Sequence, residues 1–456
     1  MLRQSVLLAS CIVASSMASL ISSQSRTAGG PVLYESARLI VGDGSAPIEN
    51  GAFVVQDGRL TAIGRKDAVS APRGATRVDL TGKTVMPALV NAHLHIGYEG
   101  FTSWRPENYT PQNVSDHLER EAFYGVGTVL SVGGDPPDRA IQFEQDQAAG
   151  KFAVASRLIF APGVVPPGGG PDPILIKGTT ALHAVYEVTT DAQARGAVRD
   201  IANKRFRDLK IWVDDRRGTY PKMPPEVYDA VIDEAHKHQV RVHAHAIALP
   251  DQKAVVRSGA DVLIHTVADQ KIDDELMALL KDKKPYWTPV SGFGDRSPVC
   301  DNDPFNEQTL PPSAIEEIRK ACARPSPNAA AREELLKYNY PKMIASGARL
   351  VLGTDAGILP RYSFGWAEHH ELERYVEFGV SPLDAIVAAT SRPAQLLGLK
   401  DVGTLAVGKH ADFVVLNANP LENIRNLRQI GSVYLRGTLV DRERLLSRWK
   451  TTNTTQ

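Results

Sequence analysis

Between residues 84 and 353 the chain repeats one rhythm: a short apolar run, then a longer stretch with apolar residues at helical spacing. The runs fall at 84–95, 127–132, 157–160, 209–213, 240–245, 261–265, 286–290 and 349–353, which makes eight. Runs this continuously apolar read as strands buried on both faces, and segments such as Pro-Glu-Val-Tyr-Asp-Ala-Val-Ile-Asp-Glu-Ala-His-Lys at 225–237 read as crossover helices. Eight strands alternating with helices predict an α/β fold, a (β/α)8 TIM barrel over residues 87–403.

The flanks follow a different pattern. Residues 31–86 hold short alternating runs, with Asp57-Gly58 placed between two of them as a hairpin turn, and similar runs return at 411–417 and 431–440. The ends are therefore expected to pair, 31–86 with 404–445, into one small β-sandwich domain. Ahead of them, a basic residue at Arg3, an apolar and small stretch at 6–21 and a polar stretch at 22–27 predict a signal peptide over residues 1–25. Leu8-Ala-Ser-Cys11 also has the form of a lipoprotein cleavage box, although the apolar run before it is very short. No later stretch is long and apolar enough to span a bilayer, so the expectation is an exported protein, periplasmic or secreted, with no stable membrane span.

Lys plus Arg and Asp plus Glu balance at 52 each, which leaves no global field for nucleic acid and points to a small-molecule partner; a homo-oligomer stays open. Two cysteines remain after the leader, Cys300 and Cys322, in a segment rich in Pro, Asp and Asn. In an oxidising compartment a disulfide between them would contribute about 3 kcal/mol by loop-closure entropy; the alternative is two unpaired thiols.

Metal-competent side chains sit at the ends of the runs. His93 and His95 lie two apart, so on a strand both project to one side. Lys210 stands inside Leu-Lys-Ile-Trp-Val, where an ammonium is expensive to bury. Burial lowers a lysine pKa, and the neutral amine can take up carbon dioxide to give a carbamate able to bridge two metals; alternatively Lys210 pairs with Asp214 or Asp215. His243 and His245 end the next run, His265 the one after, and Asp355 follows Leu352-Gly353-Thr354 at the last. In a barrel these are the positions where chemistry is built.

From about residue 31 to 442 these residues resemble the amidohydrolase superfamily, particularly its imidazolonepropionase-like and dipeptidase-like binuclear members. The resemblance rests on Val85-Met-Pro-Ala-Leu-Val-Asn-Ala-His-Leu-His95, the Lys210 strand, Val242-His-Ala-His245, Leu263-Ile-His265, Leu352-Gly-Thr-Asp355 and the stretches at 391–398 and 403–416. It implies two divalent ions, zinc by ligand type: His93, His95 and Asp355 on one, His245 and His265 on the other, carboxylated Lys210 between them. His243 is the alternative to His245. His243, His369 and Tyr98 are also the candidates for substrate contact. The chain departs from the family pattern at Thr266, where glycine often follows the histidine, and in the loop Pro162-Gly-Val-Val-Pro-Pro-Gly-Gly-Gly170.

The implied reaction is hydrolysis of a C–N bond in a dipeptide, an N-acyl amino acid or a similar small amide by a metal-bridging hydroxide, with Asp355 as general base and then acid. Esters, lactones and phosphotriesters are open to the same attack. A one-metal deaminase has no need of Lys210. A non-catalytic secreted binding protein would be free to lose Lys210 or Asp355.

Overall fold

The structure is a computed structural model and describes residues 30–152, 154–170, 181–292, 298–322, 329–358 and 362–451. The leader expected at 1–25 lies outside the described residues. Among the described residues no helix is long and apolar enough to cross a membrane.

Both chain ends enter one eight-stranded sheet. Val32–Leu39, Ile48–Gln56, Arg59–Arg65, Thr76–Asp79 and Thr84–Pro87 come from the N-terminal side; Phe413–Leu416, Ile430–Leu435 and Thr438–Leu439 come from the C-terminal side. The seam is the antiparallel pair of Thr84–Pro87 with Phe413–Leu416, in register Pro87 to Phe413. An aromatic cluster packs the seam: Tyr34 stacks on Phe53 at 4.9 Å and Phe413 on Tyr434 at 4.5 Å, with the two pairs edge to face. The strand pairing thus gives a single hydrogen-bonded sheet shared by both ends. Its hairpin turns at Asp57 and Gly58, φ 51° and 75°, the left-handed pair a two-residue turn requires.

The central region is a parallel barrel. Its strands are Leu89–Leu94, Val126–Val132, Arg157–Ala161 continued by Gly163–Val165, Asp208–Trp212, Arg241–His245, Val262–Ile264, Tyr286–Thr288 and Arg349–Leu350. Neighbours pair in parallel from Leu89–Leu94 to Arg157–Ala161 and from Gly163–Val165 to the last strand. Closure comes from the Ala92 amide donating to the Leu352 carbonyl at 2.8 Å and from a parallel bridge between Leu94 and Ala356. The final run is read from sequence as 349–353, yet only its first two residues form a ladder; the rest is held by single bonds with Trp287, Ala388 and Ala92. The helices are amphipathic: in Pro225–Lys237, Val227, Ala230, Val231, Glu234 and Ala235 form the inward stripe.

The loop at 162–170, which departs from the family pattern, continues the third barrel strand. Gly163 pairs with Lys210, and a Cβ there would lie 2.6 Å from the Gly133 carbonyl oxygen and 3.0 Å from the Trp212 ring, so glycine lets the end of the second strand and Trp212 close in. Cys300 and Cys322 are disulfide-bonded, with Cα atoms 5.6 Å apart.

Candidate metal centre

The ends of the first, fourth, fifth, sixth and eighth barrel strands converge on one cleft of about 200 Å³, lined by His95, Lys210, His245, His265 and Asp355 among others. Asp355 is the hub. Its Oδ1 lies 2.5 Å from His93 Nε2 and 3.1 Å from His95 Nε2, and its Oδ2 lies 3.7 Å from His265 Nε2. The ligand-capable atoms of His93, His95 and Asp355 all fall within 4.8 Å of one another. The His265 ring packs 4.4 Å from the His245 ring and 6.1 Å from the His93 ring, so the four imidazoles form a continuous file.

Backbone geometry presents these groups. His265 and Asp355 both adopt left-handed conformations, φ 72° and 60°, uncommon for residues with a side chain and characteristic of sites held by their surroundings. The Asp355 turn is fixed because the amides of Thr354 and Asp355 both donate to the His93 carbonyl, at 2.8 and 3.1 Å. Gly353 allows the approach: a Cβ on it would stand 2.7 Å from the Cβ of His93. Behind this seam, Asn91 accepts from the His93 amide at 2.8 Å and donates to Thr354 Oγ1 at 2.9 Å. Its amide also donates to buried Glu368, which accepts from Thr354 Oγ1 at 3.2 Å. One carboxyl from helix Trp366–Glu377 therefore ties together the two strands that carry His93, His95 and Asp355. Burial raises Glu368 to about 7, and Glu121 packed against it is raised well above the ordinary range.

Electrostatics prepare lone pairs. Burial, reinforced by Lys210, lowers His93 to about 3; burial lowers His245 to about 4 against the pull of Asp214; burial and His245 hold His265 well below its ordinary value. All three are neutral imidazoles at pH 7. Burial favours the neutral form of Asp355, but His93 and His265 outweigh it and keep the carboxyl well below the usual range. Lys210 is 1% exposed, and burial brings its amine down to about 7, opposed by Asp355. Among the described residues no carboxylate lies within ion-pair distance of its Nζ, which sits 5.2 Å over the Trp212 ring.

The pairing of Lys210 with Asp214 or Asp215 is not what the structure contains. Asp214 Oδ2 lies 3.1 Å from His245 Nε2, Asp214 Oδ1 accepts from the Arg216 amide at 2.9 Å, and Asp215 faces Lys222 at 3.6 Å. With Asp214 on Nε2, the His245 ring is left with Nδ1 to offer, an orientation set by the carboxylate behind it. Sequence gave no role in the centre to Asp214; its position directly after Val213 at a strand end was the available signal. Asn91 could have been noticed as a lone amide in an apolar run. Glu368, on a distant helix, left no local sign.

Three expected substrate contacts are placed elsewhere. His243 projects to the same side as His245 but two residues nearer the strand's start, where its Nε2 meets Asp208 at 2.9 Å and Asp208 also holds Arg241. His369 is buried, its Nε2 donating to the Tyr124 carbonyl at 2.8 Å. Tyr98 is 1% exposed, stacked on Trp104, with its hydroxyl donating to the Gly134 carbonyl. None of the three lines the cleft.

The amidohydrolase family profile matches residues 84–440. The chain is 23% identical to an enamidase of Eubacterium barkeri over 415 residues, covering 86% of this chain and 88% of that protein. It is 25% identical to an imidazolonepropionase of Paracoccus denitrificans, covering 84% of this chain and 92% of that one. A solved Xaa-Pro dipeptidase with bound methionine superposes with a TM-score of 0.69 at 23% identity, covering 90% of this chain and 99% of its own. With most of its length inside the family profile, on a barrel whose strand ends gather histidines, a lysine and an aspartate, the chain belongs to the amidohydrolase family.

Proposed function

We propose that the protein is a binuclear metal hydrolase that cleaves a C–N bond in a small amide, such as an N-acyl amino acid or a dipeptide. The observation that carries this is Lys210: a buried amine with no carboxylate within ion-pair distance among the described residues, lining the same cleft as His95, His245, His265 and Asp355. In this reading His93, His95 and Asp355 hold one ion, His245 and His265 hold the second, and carboxylated Lys210 bridges them.

The donor set fits the group: neutral imidazoles with available lone pairs, an ionised aspartate at their centre and a near-neutral amine able to add carbon dioxide. Imidazole and carboxylate ligands suit zinc. When bound, two such ions polarise a scissile carbonyl and acidify a coordinated water. Asp355, ionised at neutral pH, takes the proton released by the attacking water and delivers it to the leaving nitrogen. Asp214 holds the His245 ring in its ligating tautomer, and Glu368 with Asn91 keeps the first and eighth strands in register. The similarity to an enamidase and to a Xaa-Pro dipeptidase supports C–N cleavage as the reaction type. We further propose that the protein works outside the cytoplasm, a reading that the Cys300–Cys322 bond supports.

The test is elemental analysis of protein prepared with bicarbonate and without chelator, followed by kcat/KM on amides, lactones and phosphotriesters. Two divalent ions per chain and a preference for amides are expected. One ion would sink the bridged centre, and turnover of lactones or phosphotriesters alone would sink C–N cleavage.

A further inference from the structure

The cleft has a chemical polarity that the metal ligands do not explain. Among the described lining residues, the charged groups beyond the ligand cluster are two guanidiniums, Arg216 and Arg332, and Asp355 is the only acid. The rest of the wall is largely apolar, including Trp212, Ile247, Val290 and Leu336. Each arginine is held by a neighbouring group. Arg216 follows the fourth strand and is oriented by Asp214, which receives its amide at 2.9 Å and faces its Nε at 3.3 Å. Arg332 sits early in helix Ala329–Ala345 and donates to the Ser291 carbonyl at 2.7 Å. That carbonyl is itself fixed, because the Ser291 and Gly292 amides and the Ser291 hydroxyl all donate to buried Glu371.

Two oriented guanidiniums over an apolar wall recognise an anion attached to a hydrophobic group, and a planar carboxylate matches their donor geometry. Among the described lining residues the one acid, Asp355, is committed to the histidines and leaves none for an ammonium. A free dipeptide brings both charges; an N-acyl amino acid brings only the carboxylate. Building on the hydrolase reading above, we infer that the substrate is an N-acylated amino acid with an apolar side chain, its carboxylate bound by Arg216 and Arg332. Hydrolysis then breaks the acyl C–N bond, water supplies the hydroxyl of the released carboxylic acid, and the proton goes to the amino acid's nitrogen.

Three matched compounds test this on metal-loaded protein: N-acetyl-leucine, N-(3-methylbutyl)acetamide, which lacks only the carboxylate, and glycyl-leucine, which adds an ammonium to the acyl group. N-acetyl-leucine should exceed both others in kcat/KM by roughly 10- to 100-fold, the range of hydrogen bonds to a charged group. In Arg332→Gln its advantage over the neutral amide should fall about tenfold or more, and Arg332→Lys should keep part of it. Equal rates on the neutral amide, or an undiminished ratio in Arg332→Gln, would overturn the carboxylate assignment; a preference for glycyl-leucine would overturn the N-acyl assignment. If none of the three turns over, the hydrolase reading has failed separately, and calorimetric titration of N-acetyl-leucine still decides this one: binding weakened in Arg332→Gln upholds it, and no binding to the wild type refutes it.

Discussion

Replacing Lys210 by Met should reverse its effect on stability according to whether metal is present. In metal-free, bicarbonate-free protein the amine titrates near 7 when folded and near 10.5 when unfolded. Between those values the unfolded chain binds more protons, so stability rises with pH across that window, and below pH 7 the full penalty applies. The shift corresponds to roughly 5 kcal/mol at most, of which about 2 kcal/mol is recovered between pH 7 and 9. Methionine fills nearly the same volume without a charge. Metal-free Lys210→Met should therefore be more stable than wild type at pH 7, by up to about 4 kcal/mol, and should lose the Lys210 part of the pH slope. With zinc and bicarbonate the order should invert, because only the wild type gains the bridged ions. The assay is urea unfolding at pH 7 and 9 for both proteins, each with and without metal, and the difference of differences cancels every other titrating group. If the two metal-free proteins show the same pH dependence, the buried, unpaired amine is refuted.

Asp355→Asn should lower amide turnover by about a hundredfold or more, since it removes the proton carrier, and steady-state kinetics with metal content measured alongside would show this. Glu368→Ala leaves one Asn91 Nδ2 hydrogen and the Thr354 hydroxyl hydrogen without their acceptor in a buried seam, so a loss of roughly 1–3 kcal/mol for each is expected in urea unfolding, together with weaker metal retention on dialysis. Gly357→Ala would place a Cβ 1.8 Å from the His95 carbonyl oxygen at φ 88°, and should cost roughly 3 kcal/mol or more, seen as lost soluble yield and lost metal. Replacing Cys300 and Cys322 by Ser should lower stability by about 3 kcal/mol, measured by unfolding with and without reductant.

The barrel was legible because its strands are continuous apolar runs, and the pattern held even at Arg157–Ala161, whose run is the shortest of the eight. The convergence of His93, His95, Lys210, His245, His265 and Asp355 on one end of the barrel was legible for a related reason: each ends or interrupts such a run, where a polar side chain is conspicuous. What escaped was whatever depends on depth along a strand or on contact between distant segments. His243 and His245 are equivalent by alternation, and only the Asp208 carboxylate beneath separates them. His369 and Tyr98 looked available as polar rings, yet backbone carbonyls of Tyr124 and Gly134 take up their polar atoms. The pocket arginines sit in irregular or helical segments with no periodicity to mark them, and their meaning emerges only when both face the same cleft.

The shared terminal sheet imposes an order of assembly. Thr84–Pro87 leads directly into the strand bearing His93 and His95, and its neighbour Phe413–Leu416 lies roughly three hundred positions downstream. A nascent chain emerging N-terminus first therefore holds every residue of the metal centre before it owns the strand that clamps the first of them. Such distant pairing makes closure slow and leaves an open sheet edge waiting for its partner. The terminal sheet is therefore completed last, with the tail of the chain acting as its clasp.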